Sequence, residues 1–305
     1  MPSTLRRKTP ALAAAVLCLA AAACGTSEKA GSTATADPAL SRLVPAPFAA
    51  KRTITVAVVQ SPPFSVIESG GKVSGINIEL LRTASARLGL TPKFVQVASS
   101  AIVAGLASGK FDLASQRGDF VERQPAAATV DLVQSHAGGL VPASAAKSAT
   151  SITYVCGRRV GLQQGTVANE TIGLLDGVCG KAGKARIRAA FFPDSNSMGL
   201  ALRSGRVDVV LDDRSANQIA ARASGGKIAA VDFPDAATLP GFRNTLLGPG
   251  TSAANRPLAE AFLAAFQAMA KDGAYAAPFD AHGVPDAKLD GALIRINGST
   301  QRLAA

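Results

Sequence analysis

The sequence predicts an α/β protein of two lobes, because a run of alternating strands and helices occurs twice along the chain. The first run lies at about residues 53–115 and the second at about 159–223. Strands that alternate with helices are typical of a mostly parallel sheet with helices on its faces. Two such units, with the chain crossing between them, create a cleft. Ligands of such sheets bind beyond the carboxyl ends of the strands.

The first run contains three predicted strands and two predicted helices. β-branched residues over 53–59 predict a strand, and Pro62-Pro63 end it. Apolar residues at helical spacing over 76–88 predict a helix that Gly89 ends. The pattern continues with a strand over 93–97, a helix over 102–107 and a strand over 111–115.

The second run repeats this order and is followed by one long helix. Strands are predicted over 159–163, 187–192 and 207–212. Helices are predicted over 168–178, from the N-cap named below to Arg203, and over 215–223. Asp194 or Ser195 is the predicted N-cap of the middle helix. A strand-like stretch after Pro240 reaches Leu247, and an apolar stripe predicts a core-packed helix over 257–271.

The N-terminus has the pattern of an export signal. Three basic residues at 6–8, an apolar run over 11–23 and small residues before Cys24 predict a signal peptide over 1–23. The small residues with Cys24 resemble the bacterial lipobox, which implies a lipid on Cys24. The alternative is an ordinary signal with a chance cysteine. Residues 24–50 are rich in Gly, Ser, Thr, Ala and Pro, which predicts a flexible linker.

Composition excludes several classes of function. Hydrophobic residues make up 48% of the chain, which is enough for a core, and residues 51–305 have the length of two lobes. The net charge is +11, but the basic residues are scattered and aromatic residues are only 5%, so no nucleic-acid site is predicted. His136 and His282 are isolated, and no metal or cofactor motif occurs. We therefore predict no cofactor, no metal and no nucleic-acid partner.

The cysteines indicate an oxidising compartment. Cys18 leaves with the signal and Cys24 is the predicted lipidation site, so Cys156 and Cys179 remain. Outside the cytoplasm this pair predicts a disulfide, and two free buried thiols are the alternative.

Seven segments, in order, resemble one known family. They are PPF at 62–64, GKVSGINIELLRTASARLGL at 71–90, GLASGKFDLA at 105–114, ERQ at 122–124, RRVGLQQGT at 158–166, LALRSGRVDVVLDD at 200–213 and AFQAMAKDGAY at 265–275. The chain resembles the extracytoplasmic solute-binding proteins of ABC transporters, in the polar-amino-acid-binding family. The resemblance implies the type II periplasmic-binding fold, with a ligand cleft between two lobes.

That resemblance also implies the domain plan. Lobe 1 is expected over 51–140, lobe 2 over 141–240, a return segment to lobe 1 over 241–290 and a frayed tail over 291–305. The hinge crossings are expected near 138–145 and 239–244. Closure around a small ligand would let the protein, as a monomer, dock on an ABC permease while its lipid on Cys24 holds it at the membrane.

Ligand contacts are implied residue by residue. Arg123 matches the family arginine that binds an α-carboxylate, and a guanidinium is a planar bidentate partner for that group. Asp213 matches the aspartate that pairs with an α-ammonium. Asp212 adds negative charge, and helix capping is the alternative for each acid. Gly165 and Thr166 match a turn whose backbone and hydroxyl face the carboxylate.

Several positions depart from the family pattern. Ser61 and Ser99 occupy positions where relatives place aromatic residues that sandwich the ligand side chain. Phe120 replaces a threonine and Gln116 a small residue, so Gln116, Gly118 and Phe120 are expected to line the cleft with altered contacts. Arg117 either meets a second anionic group on the ligand, such as that of a dicarboxylate, or is solvated.

Two other functions stay open. An exported enzyme on this fold, such as a cyclohexadienyl dehydratase, would use Asp212, Asp213 or Glu122 to expel water or carboxylate. A lipoprotein that senses a ligand without transport is the third class. The acid and base residues for catalysis are few, so we predict a binding protein rather than an enzyme.

Overall fold

The computed structural model describes Met1 and residues 35–165, 167–239 and 242–302, and for residues 167–171 it describes the backbone only. The predicted signal peptide, apart from Met1, and the predicted lipid site at Cys24 lie outside these ranges, as does Thr166. Among the described residues, no helix combines the length and the apolar composition needed to cross a membrane.

The secondary structure follows the predicted alternation and adds several short elements. The strands are β1 (Thr53–Val58), β2 (Val66–Ile67), β3 (Val73–Ser74), β4 (Thr91–Gln96), β5 (Leu113–Gly118), β6 (Ala127–Thr129), β7 (Val133–Ser135), β8 (Ala137–Pro142), β9 (Arg159–Gln163), β10 (Arg188–Phe192), β11 (Val209–Asp213), β12 (Ile228–Val231) and β13 (Thr245–Ser252). The helices are α1 (Pro38–Ser41), α2 (Ala46–Lys51), α3 (Ile76–Arg87), α4 (Ile102–Ala107), α5 (Val167–Lys181), α6 (Ser195–Arg203), α7 (Arg214–Ala223), α8 (Arg256–Asp272) and α9 (Ala277–Ala281). The strand predicted over 111–115 ends later, at Gly118, which extends it into the candidate site.

The first lobe is built on a six-stranded sheet in the order β4-β1-β5-β13-β6, with β7 also paired to β13. β1 is parallel to β4 and β5, and Val56 pairs with Phe94 on one side and with Leu113 on the other. β13 runs antiparallel to β5, β6 and β7. Helices α3 and α8 cover one face with fully buried side chains such as Leu80, Phe262 and Phe266. α4 covers the other face.

The second lobe has a five-stranded sheet in the order β10-β9-β11-β8-β12. β9 is parallel to β10 and β11, while β8 is antiparallel to β11 and β12. Separate apolar clusters form the core of this lobe, one around Val160, Leu162 and Leu211 and the other around Met198 and Leu202. The predicted two-lobed α/β architecture is confirmed.

The chain crosses between the lobes twice, and the two crossings are adjacent. β7 belongs to the first sheet and β8 to the second, so His136 is the first crossing. Phe242 is buried in the second lobe and β13 begins the return, so Arg243 and Asn244 form the second crossing. His136 Nδ1 lies 3.2 Å from Asn244 Oδ1. The first crossing was expected near 138–145 and lies slightly earlier, at His136, because residues 138–142 belong to β8 of the second sheet. The first lobe therefore ends at Ser135 rather than at residue 140.

The segment expected to be a flexible linker over 24–50 is ordered from Asp37 onward. Asp37 caps α1, and Val44 and Phe48 are buried in the first-lobe core. Lys51 Nζ lies 2.9 Å from the Asp112 carboxylate. Apolar burial and this ion pair fix the segment, so the linker prediction is wrong for its second half.

The C-terminal residues are also ordered. Ile294 is 2% exposed, and Val130 forms a backbone bridge with Ile296. Ser299 and Gln301 are buried as well. The expectation of a frayed tail over 291–305 is therefore wrong as far as Arg302, because the burial of Ile294 and hydrogen bonds to the Asp119 and Asp131 carboxyls hold the segment.

Candidate functional site

Arg123 lies in the loop that follows β5, at the carboxyl end of a central strand of the first lobe. The loop turns tightly, and the N–H of Arg123 donates to Phe120 O at 2.8 Å. The guanidinium carbon lies 5.2 Å from the centroid of the Phe120 ring. This half-buried arginine therefore rests on an aromatic face.

Phe120 supports this loop from inside the lobe. Its side chain is 1% exposed, so it does not line an open cleft as expected. A Cβ on Gly118 would lie 2.7 Å from the Phe120 ring, so the ring occupies the space beside the glycine. The Phe120 ring thus occupies the space that a side chain at position 118 would need, and the Arg123 guanidinium packs on the face of this ring.

Gln116 and Ser61 are held by the same corner of the first lobe. Asn77, at the start of α3, donates through Nδ2 to Gln116 Oε1 at 2.9 Å. The Ser61 loop is closed by its N–H bond to Ser65 O at 2.8 Å, and Ser65 Oγ lies 3.2 Å from Ser115 Oγ. These contacts join the loop after β1 and the start of α3 to the carboxyl-terminal half of β5, as expected for strand ends of one parallel sheet.

Arg117 adds a second guanidinium to this corner. Burial lowers the pKa of Arg117, and the positive charge of Arg123 lowers it further. Two like charges in one partly desolvated corner attract anions, since a carboxylate there relieves their repulsion. The first lobe therefore offers a positive surface at the predicted carboxylate position.

Asp213 ends β11 and lies beside the hinge. Its Oδ1 accepts from the N–H of Ser215 at 2.8 Å, so it caps α7. Burial raises the pKa of Asp213, while the Ser135 hydroxyl, the backbone N–H groups and His136 oppose the rise. The carboxyl is thus both a helix cap and a partly desolvated acid next to the first crossing.

Asp212 gives the same strand end a second acid. Its Oδ1 accepts from the N–H of Asp213 at 2.8 Å. Burial raises the pKa of Asp212 to about 6, against the effects of the Ser195 hydroxyl and the Asp213 N–H, and the Asp213 charge adds to the rise. A cation that approached the two acids would favour their ionised forms.

The lobes meet at Gly165. The Ser99 hydroxyl of the first lobe donates to Gly165 O at 3.3 Å. Gly165 has φ +78°, and a Cβ there would lie 2.8 Å from Ser100 N. Glycine is needed for both the turn and this close approach. Ser99 therefore contacts the opposite lobe, a role that the sequence did not predict.

Two hinge residues near the acid were also missed. Ser135 and His136 are adjacent to Asp213, because Ala137 pairs with Asp213 across β8 and β11. His136 is isolated in sequence, and only the sheet pairing places it here. Behind these crossings lies a cavity of about 330 Å³ whose lining comes from both lobes, with Arg222 on one side and Pro285 on the other.

Cys156 and Cys179 lie in the core of the second lobe, with their sulfur atoms 2.07 Å apart. Cys156 lies in the segment before β9 and Cys179 lies in α5, so the two sulfur atoms are at the distance of a disulfide between this helix and that segment.

Comparison with known proteins gives one family match. A sequence profile of the bacterial extracellular solute-binding proteins, family 3, matches residues 54–283. The arginine-binding protein ArgT of Corynebacterium glutamicum is 26% identical over 261 residues, which cover 84% of this chain and 83% of that protein.

Solved structures share the fold. An ABC uptake transporter substrate-binding protein from Streptococcus pneumoniae with bound histidine has a TM-score of 0.66 at 18% identity, covering 78% of this chain and 95% of that one. An ancestral arginine-binding protein bound to arginine has a TM-score of 0.62 at 23% identity, covering 75% of this chain and 97% of that one. The predicted type II periplasmic-binding fold is confirmed.

Proposed function

Because the chain belongs to the bacterial extracellular solute-binding proteins, family 3, we propose that it captures a free α-amino acid, or a close analogue, and delivers it to an ABC permease. The observation that carries this proposal is the division of charge between the lobes. Arg123 and Arg117 lie on the first lobe, and Asp212 and Asp213 end a strand of the second.

A zwitterion matches this division of charge. The Arg123 guanidinium binds the α-carboxylate through two parallel hydrogen bonds, and the Phe120 ring fixes its plane. The Gly165–Thr166 turn of the second lobe supplies further donors to that carboxylate. Asp213, with Asp212 beside it, pairs with the α-ammonium, which lowers the pKa of both carboxyls toward their usual range.

The residues proposed to surround the ligand side chain specify its chemistry less closely than the charged residues specify the α-carboxylate and the α-ammonium. Ser61 and Ser99 provide no aromatic stacking surface, and Gln116 is bonded to Asn77. Relatives are named for arginine, and one solved neighbour holds histidine. Arg117 adds a positive charge that suits an acidic side chain. Basic, neutral and acidic amino acids all belong in the first test.

The cellular setting follows from the N-terminus and the cysteines. We propose removal of the signal peptide over 1–23, lipid on Cys24 as the membrane anchor, and a disulfide between Cys156 and Cys179 in the oxidising space outside the cytoplasm. The mature protein acts as a monomer without a cofactor.

A thermal-shift panel of the twenty amino acids, with agmatine, opines and dicarboxylates added, tests the proposal. At a ligand concentration of about 100 times Kd, binding stabilises the fold by about 2.7 kcal/mol, so a true ligand gives a clear rise in Tm. The expected result is a rise with one chemical group of α-amino acids. No rise with any amino acid would contradict the proposal, and turnover of prephenate or arogenate in a parallel incubation would favour the enzyme.

A further inference from the structure

The last residues that the structure describes form a C-terminal strap, defined here as residues 294–302. The strap lies beyond residues 54–283, the part that matches the family profile. Ile294 and Gln301 at its two ends are 2% and 7% exposed. An extension that is buried in the first lobe contacts specific partners there.

The strap holds the loop that carries Arg123 on both sides of the arginine. The N–H of Val121 donates to Gln301 O at 3.0 Å, and Gln124 Nε2 donates to Ser299 O at 2.8 Å. Glu122, Pro125 and Ala126 of the loop are exposed, and Arg302 of the strap lies 3.6 Å from the Glu122 carboxylate. The strap therefore supplies much of the support for the loop from outside its own turn.

Asp119 joins the strap to the base of the same loop. Its Oδ2 accepts from the N–H of Ser299 at 2.8 Å, and its Oδ1 accepts from Gln124 Nε2 at 3.1 Å. Asp119 directly precedes Phe120, the ring on which the Arg123 guanidinium rests. A shift of Asp119 is thus transmitted to the support of Arg123.

The strap also contacts the segment after the loop and the hinge strand. The Asn297 side chain accepts from the Thr129 N–H at 2.8 Å and donates to Ala127 O at 2.9 Å. Gln301 Oε1 accepts from Thr245 Oγ1 at 3.1 Å, and Thr245 is the first residue of β13 after the second crossing. One segment therefore links the loop that carries Arg123 to the strand that follows the second crossing.

A buried carboxyl pair lies under the strap. Asp131 is 0% exposed, its Oδ2 accepts from the Gly298 N–H at 2.8 Å, and its Oδ1 meets no donor within the described part of the chain. Burial raises the pKa of Asp131 to about 8, and the nearby charge of Asp119 raises it too, while Arg295 opposes the rise. A proton on Asp131 therefore lets the carboxyl donate toward Asp119, and the two acids attract rather than repel.

On the basis of the proposed amino-acid site, we propose that the strap positions Arg123 through Asp119, Gln124 and Gln301, so that these residues set ligand affinity without touching the ligand. They are positioning residues, because Asp119 and Gln124 join the loop to the strap through their side chains. Gln301 contacts the loop through its backbone carbonyl and β13 through its side chain.

Protonation of Asp131 makes this support dependent on pH. In an opened strap Asp131 has an ordinary pKa near 4, so opening releases a proton at any pH between about 4 and 8. The stability that the neutral carboxyl contributes is complete below about pH 4, is lost as the pH rises toward 8, and stays lost above it. The other charge that acts on the pair is that of Arg295, which lowers the pKa of both acids.

The first test compares two variants of the mature full-length protein, Gln124→Ala and the same substitution at a glutamine outside the loop. Gln134→Ala is the control, since Gln134 also donates to backbone carbonyls of the C-terminal region, at Asp286, but not to the strap or the loop. Hydrogen exchange of residues 119–126 is measured without ligand, and affinity is measured by calorimetry with L-arginine or the amino acid that gives the largest thermal shift. We expect Gln124→Ala to raise exchange and to weaken binding by about tenfold each, because hydrogen bonds to a carboxylate and to a carbonyl are lost.

The exchange measurement separates this proposal from the ligand proposal. If no amino acid binds, the proposed function fails, while faster exchange of the loop in Gln124→Ala still supports the strap contacts. Unchanged exchange, or faster exchange with wild-type affinity, overturns the positioning role. A chain that ends at Asn297 should repeat the Gln124→Ala result, and a chain that ends at Arg302 should match wild type.

Hydrogen exchange of the loop measured over a series of pH values distinguishes support through the carboxyl pair from support by packing alone, which would not depend on pH. Wild-type protection of the loop, corrected for intrinsic exchange, should fall between pH 5 and 8 by up to about tenfold per unit. Asp131→Asn removes the titration of Asp131, while burial still raises the pKa of Asp119, so its protection should fall less steeply than that of wild type over this range. Parallel profiles in the two proteins would remove the carboxyl pair from the account.

Discussion

Arg123→Ala is expected to weaken binding of the amino acid by about 2 kcal/mol or more, roughly thirtyfold. The reason is the loss of a charge-assisted bidentate contact in a corner that is partly removed from water. A carboxylate left without its guanidinium there pays a desolvation cost in addition to the lost hydrogen bonds. Calorimetric titration of wild type and variant measures the difference.

Two matched variants make this result specific. Arg256→Ala removes an exposed arginine of α8 whose partner is Glu260, four residues away, and its affinity should match wild type. Arg123→Lys keeps the positive charge but loses the planar fork, so an intermediate loss is expected. Wild-type affinity in Arg123→Ala, with the Tm unchanged, would remove Arg123 from the site.

Loss of the Cys156–Cys179 bond is expected to lower the free energy of unfolding by about 3 kcal/mol. The bond closes a loop with a sequence separation of 23 residues, and the open chain gains conformational freedom mainly in the unfolded state. Urea unfolding of the oxidised and the reduced wild-type protein isolates the bond itself, since no side chain is removed. Cys156→Ala with Cys179→Ala should lose at least as much, because the core also loses two sulfur atoms.

Ligand affinity serves as the control for the disulfide prediction, because reduction should lower the stability of the protein and leave its affinity nearly unchanged. Cys179 lies twelve residues beyond the start of α5, about 18 Å along the helix axis from the Gly165 turn. The reduced protein should therefore bind with nearly wild-type affinity where it remains folded. Two thiols that label in the unreduced, unfolded mature protein would contradict the bond, as would equal stability of the two redox forms.

Local patterns predicted the helices and the central parallel strands. The apolar stripe of α8 predicted that Leu258, Phe262 and Phe266 are buried, and all three are fully buried. β9 has the predicted bounds, because a β-branched and apolar run stands between polar residues. These elements were predictable since their signal lies within a dozen neighbouring residues.

The missed elements depend on partners far away in the sequence. β8 contains Gly138 and Gly139 near its start and has no alternating pattern, and a Cβ on Gly139 would lie 2.7 Å from the Phe233 ring. The strap depends on polar contacts to Asp119 and Asp131, which precede it by more than 160 residues. No periodic apolar signal marks either segment.

The candidate site was predictable at positions where a motif fixes a backbone turn. It was not predictable at positions where side-chain packing determines whether a residue is exposed to the cleft. Gly165 lies at the predicted turn, and its positive φ and close contact with Ser100 explain the residue type. Phe120 was predicted to line the cleft because of its position near Arg123, but burial of its ring against Gly118 overrides that expectation. The roles of Ser135 and His136 required the sheet pairing, which the sequence alone did not give.

The most direct measurement is a thermodynamic cycle that gives the coupling free energy between the ligand carboxylate and the Arg123 side chain. The amino acid found in the panel and its decarboxylated amine are titrated into wild type and into Arg123→Ala by calorimetry. Wild type should prefer the amino acid by about 2 kcal/mol or more, and the variant should lose most of that preference, which gives a coupling of about 1.5–3 kcal/mol. A wild-type protein that binds the amine equally well, or a variant that keeps the full preference, would contradict the pairing of Arg123 with the carboxylate.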